Sequence, residues 1–292
     1  DKDIVCLLCP RTCRISEGSR GHCFVRENID SQLVLNTYGR SSGFALDPIE
    51  KKPLYHFYPG SKILSVGTNG CNLKCSFCQN WQISQTEDSG REKITSDKLV
   101  ELAKKENSVG IAYTYNEPFM WYEFVLETSV KAKKEGLKNV FVTNGYINEE
   151  PLLEILPYID AMNIDIKSIK EDFYKNVCGG KLEYVKKTIE ICTKKCHVEL
   201  TNLIIPELND TKEEITLLVD WIASIEPNIP FHISKYYPMY KMNANETKIS
   251  ALKMAEEIAK KKLKYVYVGN VQTMEGNITY CPNCKNKIIV RK

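Results

Sequence analysis

The sequence predicts an α/β fold, an open, partial (β/α)6 barrel of the TIM-like kind, with a cysteine-rich N-terminal extension and a short C-terminal CxxC knuckle. Three observations lead there. From about residue 61, short β-branched apolar runs alternate with longer amphipathic stretches at a spacing of roughly 25 to 40 residues, the rhythm of βαβ units around a parallel sheet. Polar residues recur where those runs end. Cysteines gather at both chain ends and just after the first run.

Strands are expected at residues 63–66, 110–114, 139–143, 161–166, 197–204, 230–235 and 265–269, and helices at 96–105, 118–135, 149–156, 182–195, 212–225 and 250–262. Thr95 or Ser96 before Asp97, and Thr211 ahead of Glu214, read as helix caps. Six units are too few for a closed eight-fold barrel, which leaves a partial barrel or a doubly wound sheet. Asn69, Glu117, Asn144, Lys167, Asn202 and Lys235 stand at or just past successive strand ends. A barrel brings such ends around one mouth, whereas an open sheet collects them only at a switch point, so the barrel is favoured.

Residues 1–60 do not follow the repeat. "LNTYGRSSGFALDPIEKKPLYHFYPG" reads as strands and turns, giving an extension packed on a barrel of residues 61–270. Residues 271–292 form a C-terminal segment packed on one or the other.

Composition bounds the function. Hydrophobic residues make up 43% and charged residues 26% of the 292, ordinary for a globular protein. No apolar run reaches the roughly 18 residues a membrane span needs, and no signal-peptide core opens the chain, so a cytoplasmic protein is expected. The net charge of +3 is dispersed, and Lys260, Lys261 and Lys262 read as a solvated helix face. That argues against a nucleic-acid partner.

Twelve cysteines in a reducing compartment point to thiolate ligands rather than disulfides. Cys71, Cys75 and Cys78 lie on the loop after the first strand, and no other Cys or His follows within a dozen residues. Three thiolates can hold three irons of a 4Fe–4S cluster and leave the fourth open. Zinc is the alternative, but a structural zinc wants four closed ligands. Cys6, Cys9, Cys13 and Cys23 supply four thiolates, enough for a closed zinc site or an auxiliary iron–sulfur cluster. Cys281 and Cys284 make a half-site needing two more ligands, drawn from the N-terminal four, from Cys178, or from His22 or His56. Cys192 and Cys196 read as ordinary thiols.

"CNLKCSFC" resembles the CxxxCxxC signature of radical S-adenosylmethionine (SAM) enzymes, with Phe77 before the third cysteine. "YTYNEP", "VTNGY", "NIDIKS" and "PFHIS" follow in the order seen in the enzymes that activate glycyl-radical enzymes. Over the whole length, "CLLCPRTCRISEGSRGHCFVREN", "LIIPELND" and "CPNC" resemble the AmmeMemoRadiSam-system branch, often labelled pyruvate formate-lyase activating enzyme homologues. The resemblance implies a 4Fe–4S cluster on Cys71, Cys75 and Cys78 whose open iron binds SAM. Reductive cleavage would give methionine and a 5′-deoxyadenosyl radical that abstracts hydrogen from a substrate.

It further implies that Glu117 holds the methionyl ammonium, with Tyr115 and Asn116 in the same pocket. Asn80, Thr143, Asn144, Asp165, Lys167 and His232 are the other implied cofactor contacts. Beside this stand plainer readings: Asp165 and Lys167 as a structural ion pair, His232 as a core histidine, Tyr115 as strand packing. Tyr115-Asn116 replaces a glycine pair common in the family, and Val142 stands where an aspartate often precedes Thr-Asn-Gly. Three substrate readings stay open: a protein glycyl radical, a small molecule or other macromolecule, and a non-catalytic metal scaffold. Implied partners are a flavodoxin or ferredoxin donor, a protein substrate, and Memo-like and AMMECR-like proteins.

Overall fold

The structure is a computed structural model that describes residues 2–86, 92–271 and 278–291. Its centre is an eight-stranded sheet in unbroken sequence order. The strands are β1 (Gly43–Pro48), β2 (Lys62–Gly67), β3 (Gly110–Tyr113), β4 (Lys138–Thr143), β5 (Ala161–Asp165), β6 (His197–Ile204), β7 (Phe231–Lys235) and β8 (Val266–Gly269). From β2 to β8 every pairing is parallel, and β1 joins antiparallel to β2. The order never reverses, so no switch point forms, and the first and last strands do not pair. That is the partial barrel the strand-end polar residues predicted.

Between the parallel strands run α1 (Ser96–Lys105), α2 (Tyr122–Lys134), α3 (Glu149–Ile155), α4 (Leu182–Cys192), α5 (Lys212–Ile225) and α6 (Ile249–Ala259). The Thr95 hydroxyl accepts from Lys98 N and that of Thr211 from Glu214 N, both as N-caps. The expected helix over 118–135 is split. Pro118 opens a 3₁₀ turn, Pro118–Trp121, capped by the Glu117 carboxylate accepting from Phe119 N, and only then does α2 begin. Strand interiors are buried on both faces, as in Ile63, Leu64, Ser65 and Val66, because helices cover one face and the barrel core the other.

The stretch expected to stand apart from the repeat contributes to the sheet. β1 pairs with β2 along its whole length, from Gly43 opposite Gly67 to Pro48 opposite Lys62. Its sequence, "GFALDP", has no clean alternation, so only the partner strand reveals it. Beyond β1, Ile49 and Leu54 pack against Ile63, Ala112, Val140 and Ala161 at the starts of the parallel strands and close the barrel floor.

Two hairpins precede β1: Ile4–Val5 with Arg14–Ile15, and Arg26–Ile29 with Gln32–Leu35. They dock near the mouth, where Asn148 N donates to Leu8 O and Trp121 Nε1 to Thr37 O. The C-terminal hairpin, Ile278–Tyr280 with Lys287–Val290, sits at the floor, where Thr279 Oγ1 meets Tyr267 Oη at 2.7 Å. The expected junction around residues 271–277 falls almost wholly outside the described residues.

Candidate active site at the barrel mouth

β2 delivers the chain to Thr68-Asn69-Gly70 and then the loop carrying Cys71, Cys75 and Cys78. Gly70 has φ +88°, and a Cβ there would meet Cys23 O at 2.5 Å, so the close approach of the extension requires glycine. All three thiols open onto one cavity at the strand C-terminal ends, about 1350 Å³ including its opening to solvent. Asn80, Tyr115, Asn116, Glu117, Thr143, Asn144, Asp165 and Lys167 line the same cavity. Eight of the nine implied cofactor contacts are thus brought together.

Glu117 is the electrostatic centre. Its carboxylate is buried and accepts from the Thr143 hydroxyl at 2.7 Å, Asn144 N at 2.8 Å and Phe119 N at 3.2 Å. Those donors are neutral. Burial therefore wins over hydrogen bonding and pushes the carboxyl up to about 7.

Thr143 and Asn144 are placed by β4 so that one wall both orients Glu117 and steadies the first thiol. Asn144 Nδ2 lies 3.0 Å from Asn72 Oδ1 and 3.5 Å from Cys71 Sγ. Asn72, a residue the sequence reading did not single out, also donates to Tyr146 O. Its position inside the cysteine motif was the available signal.

Asn116 is spent on the backbone. Its Oδ1 accepts from Thr68 N and its Nδ2 donates to Gly70 O at 2.9 Å, tying the second-strand loop to the cysteine loop. Tyr115 adopts φ +74°, the left-handed conformation a glycine would take freely. Its hydroxyl donates to Asp47 Oδ2 at 3.0 Å, and Lys52 stacks over its ring. Burial alone would raise Asp47, but the Lys52 ammonium at 2.8 Å holds it down at about 2. Sequence reading missed Asp47, Lys51 and Lys52 because their stretch was read as packing on the barrel and not as cavity wall. Asn80 Nδ2 donates to Tyr115 O at 2.7 Å, and the neighbouring Trp81 stacks on Tyr240.

Asp165 and Lys167, two apart on β5 and its exit, face the cavity and pair at 3.0 Å. Burial opposes the Lys167 charge, yet the Asp165 carboxylate outweighs it and keeps the ammonium well protonated. Both the ion pair and the cavity position hold at once.

His232 is a correction. It sits in the first half of β7, opposite Thr201 of β6, and its Nε2 is 2.7 Å from Glu199 Oε2. Glu199 also accepts from Tyr55 N, His56 N and His197 Nε2, a knot that fastens the 53–57 stretch under the barrel floor. Strand periodicity tells which face a side chain takes but not its depth, and His232 lies too deep to reach the mouth. Of the six strand-end polar residues, Glu117, Asn144 and Lys167 line the cavity, while Asn69, Asn202 and Lys235 do not.

Cys178 is a second surprise. It ends the π-helical turn Tyr174–Cys178, and its thiol hydrogen-bonds that of Cys75. That contact and burial together raise Cys75, and burial raises Cys71 and Cys78.

The terminal thiols separate. Cys6, Cys9, Cys13 and Cys23 line one small cavity with His22 and Arg26, beside Asn72 and behind the cysteine loop. Cys281 lies at the floor among Lys264, Tyr265 and Tyr267, its sulfur accepting the Cys284 and Asn283 backbone N–H groups. The two sets are at opposite ends of the barrel, so a single centre shared by Cys281, Cys284 and the N-terminal four is ruled out by geometry. Cys178 is taken up at Cys75. Among the described residues, no three His, Cys, Asp or Glu side chains converge on a point one ion could fill. The Cys71, Cys75 and Cys78 thiols share one cavity wall, a donor set that would fit three corners of a cluster, in the cavity that Glu117 also lines.

The model of the radical SAM superfamily matches residues 65–222. An uncharacterized protein of Methanocaldococcus jannaschii is 45% identical over 297 residues, spanning 100% of this chain and 88% of that protein. The pyruvate formate-lyase-activating enzyme of Clostridium pasteurianum is 27% identical over 228 residues, 71% of this chain and 91% of that enzyme. Among solved structures, Streptococcus suis SuiB bound to S-adenosylmethionine superposes with a TM-score of 0.58 at 15% identity, over 72% of this chain and 52% of that one. At that identity the likeness is of fold alone. Among the described residues no helix is long and apolar enough to cross a membrane.

Proposed function

The chain belongs to the radical SAM superfamily, and from that premise we propose that the mouth cavity binds SAM beside a 4Fe–4S cluster held by Cys71, Cys75 and Cys78. When bound, the cluster supplies the electron that breaks the sulfonium C–S bond, leaving methionine and a 5′-deoxyadenosyl radical to take hydrogen from substrate. The observation that carries the reading is the buried Glu117 carboxylate, wired to neutral donors only and open to the cavity the three thiols line.

A buried carboxylate without a cation is unstable as an anion, and the methionyl ammonium is the cation such a pocket accepts. Thr143 and Asn144 aim Glu117, Asn116 fixes the spacing between its loop and the cysteine loop, and Asn80 and Tyr115 form the outer wall. Asp165 and Lys167 stand further round the mouth as a fixed dipole for the polar ends of the ligand. The full chain reconstituted anaerobically with iron and sulfide, then given dithionite and SAM, is expected to release 5′-deoxyadenosine, and Cys75→Ala is expected to abolish that release. Turnover persisting in Cys75→Ala would sink the cluster assignment, and no turnover in the unmutated chain would favour the scaffold reading.

The likeness to activating enzymes supports a protein substrate, with a flavodoxin or ferredoxin as electron donor. A second reading, a smaller substrate, is favoured by Lys51, Lys52 and Pro53, which bring the segment after β1 onto the cavity wall. Lysate from deuterated cells, split into protein and low-mass fractions, separates the two. Deuterium entering 5′-deoxyadenosine from the protein fraction supports the first, and from the low-mass fraction the second.

A further inference from the structure

We propose that Cys6, Cys9, Cys13 and Cys23 ligate a second 4Fe–4S cluster, closed by four protein thiolates and therefore unable to take SAM. The inference rests on this donor set alone and stands or falls separately from SAM cleavage at the mouth.

Sequence spacing brings three of these thiols onto one tight loop, Cys6 to Cys13, closed by Cys6 N donating to Cys13 O and Thr12 N to Cys9 O. Cys23 arrives from the next turn. Cys6, Cys9 and Cys23 are each only 7% exposed, and all four thiols line one small cavity. Backbone N–H groups of Leu8 and Arg11 already point at the Cys6 and Cys9 sulfurs, the hydrogen bonds that stabilise metal-bound thiolates.

An independent observation asks for a ligand. Arg26, 3% exposed, lines the same cavity, and while its Nη1 meets Glu123 at 2.6 Å, its Nε and Nη2 have no partner. His22 Nε2, on the cavity wall, is also without one. Buried donors of this kind cost on the order of 1–3 kcal/mol each unless an acceptor is present. A cluster of four thiolates and inorganic sulfide is anionic and rich in acceptors, and it answers both the charge and the open N–H groups.

The open donors favour the larger group. A zinc ion on four thiolates adds no acceptor of its own, whereas the inorganic sulfides of a cubane give the unpartnered Arg26 and His22 nitrogens on the cavity wall further acceptors. The two sets flank one loop: the Asn72 side chain touches Cys9 as well as Cys71, and Lys74 lies within electrostatic reach of both Cys71 and Cys23.

The test counts metal in the full chain reconstituted anaerobically with iron and sulfide. About eight irons and eight sulfides per chain are expected, twice one cluster. The Cys71→Ala/Cys75→Ala/Cys78→Ala variant should keep about half, with the Mössbauer signature of a cubane. Cys6→Ser/Cys9→Ser should lose the other half. Should that variant fail to fold, Arg26→Gln in the triple-alanine background is expected to shift the spectrum of the remaining cluster. One zinc per chain in the triple-alanine variant, or no metal at all, overturns the proposal. Loss of 5′-deoxyadenosine with eight irons retained would instead count against the function proposed for the mouth.

Discussion

Two buried carboxylates, Glu117 at the mouth and Glu199 near the floor, show how one barrel treats the same group in opposite ways. Glu199, fully enclosed, accepts from His197 and His232 and from two backbone N–H groups. Burial would raise it, but those partners prevail and hold it well below its ordinary value. Glu117 is as deeply buried, but it has three partners, two backbone N–H groups and one hydroxyl, against four for Glu199, and it rises to about 7. The difference teaches where the ligand belongs. A satisfied carboxylate is part of the scaffold, and an unsatisfied one marks the place left for a cation.

The strongest way to break the comparison is Glu199→Ala. It strands two histidines and two N–H groups at the floor and should cost about 3–5 kcal/mol in denaturant unfolding. SAM affinity of the folded protein should change less than about twofold, within what a remote site transmits. A large loss of affinity would mean the floor and the mouth are one site.

Glu117→Gln is the converse. It should weaken SAM binding about 10- to 100-fold, the worth of one charge-assisted hydrogen bond, while the iron content stays constant. Equilibrium binding to the reconstituted protein reads this directly, and unchanged affinity would remove Glu117 from the site.

A pH series sharpens the same point. The ammonium needs the carboxylate, so SAM should bind about tenfold more tightly at pH 8 than at pH 6 as Glu117 ionises around 7. In Glu117→Gln the profile should be flat over that interval.

The last effect is on stability. A raised carboxyl pKa means the folded state pays for ionisation, a cost absent below the ordinary 4.5 and complete above about 7. Glu117→Gln should therefore gain up to about 3 kcal/mol at pH 8 and nothing at pH 4. Glu199 has the opposite sign: its contribution is present above 4.5 and is lost as pH falls toward its depressed value. Melting curves at the two pH values distinguish them.

What could be read from the sequence was local. Strand and helix positions follow from periods of 2 and 3.6, and the caps at Thr95 and Thr211 act within one turn of helix. The cysteine trio was legible for the same reason, since Cys71, Cys75 and Cys78 share a single loop. The sequence by itself determined that three thiols would open onto the mouth, and that Glu117 would stand at a strand end beside them.

Only the tertiary structure decided the rest, because it depends on contacts between residues far apart in the chain. β1 joins the sheet through β2 and not through its own pattern. His232 belongs to Glu199, 33 positions away, and Cys178 to Cys75. Asn116 spends its amide on the cysteine loop, 46 residues back at Gly70. The terminal thiols, which spacing alone could have joined, are parted by the length of the barrel, because strand ends and strand starts lie on opposite faces of a parallel sheet.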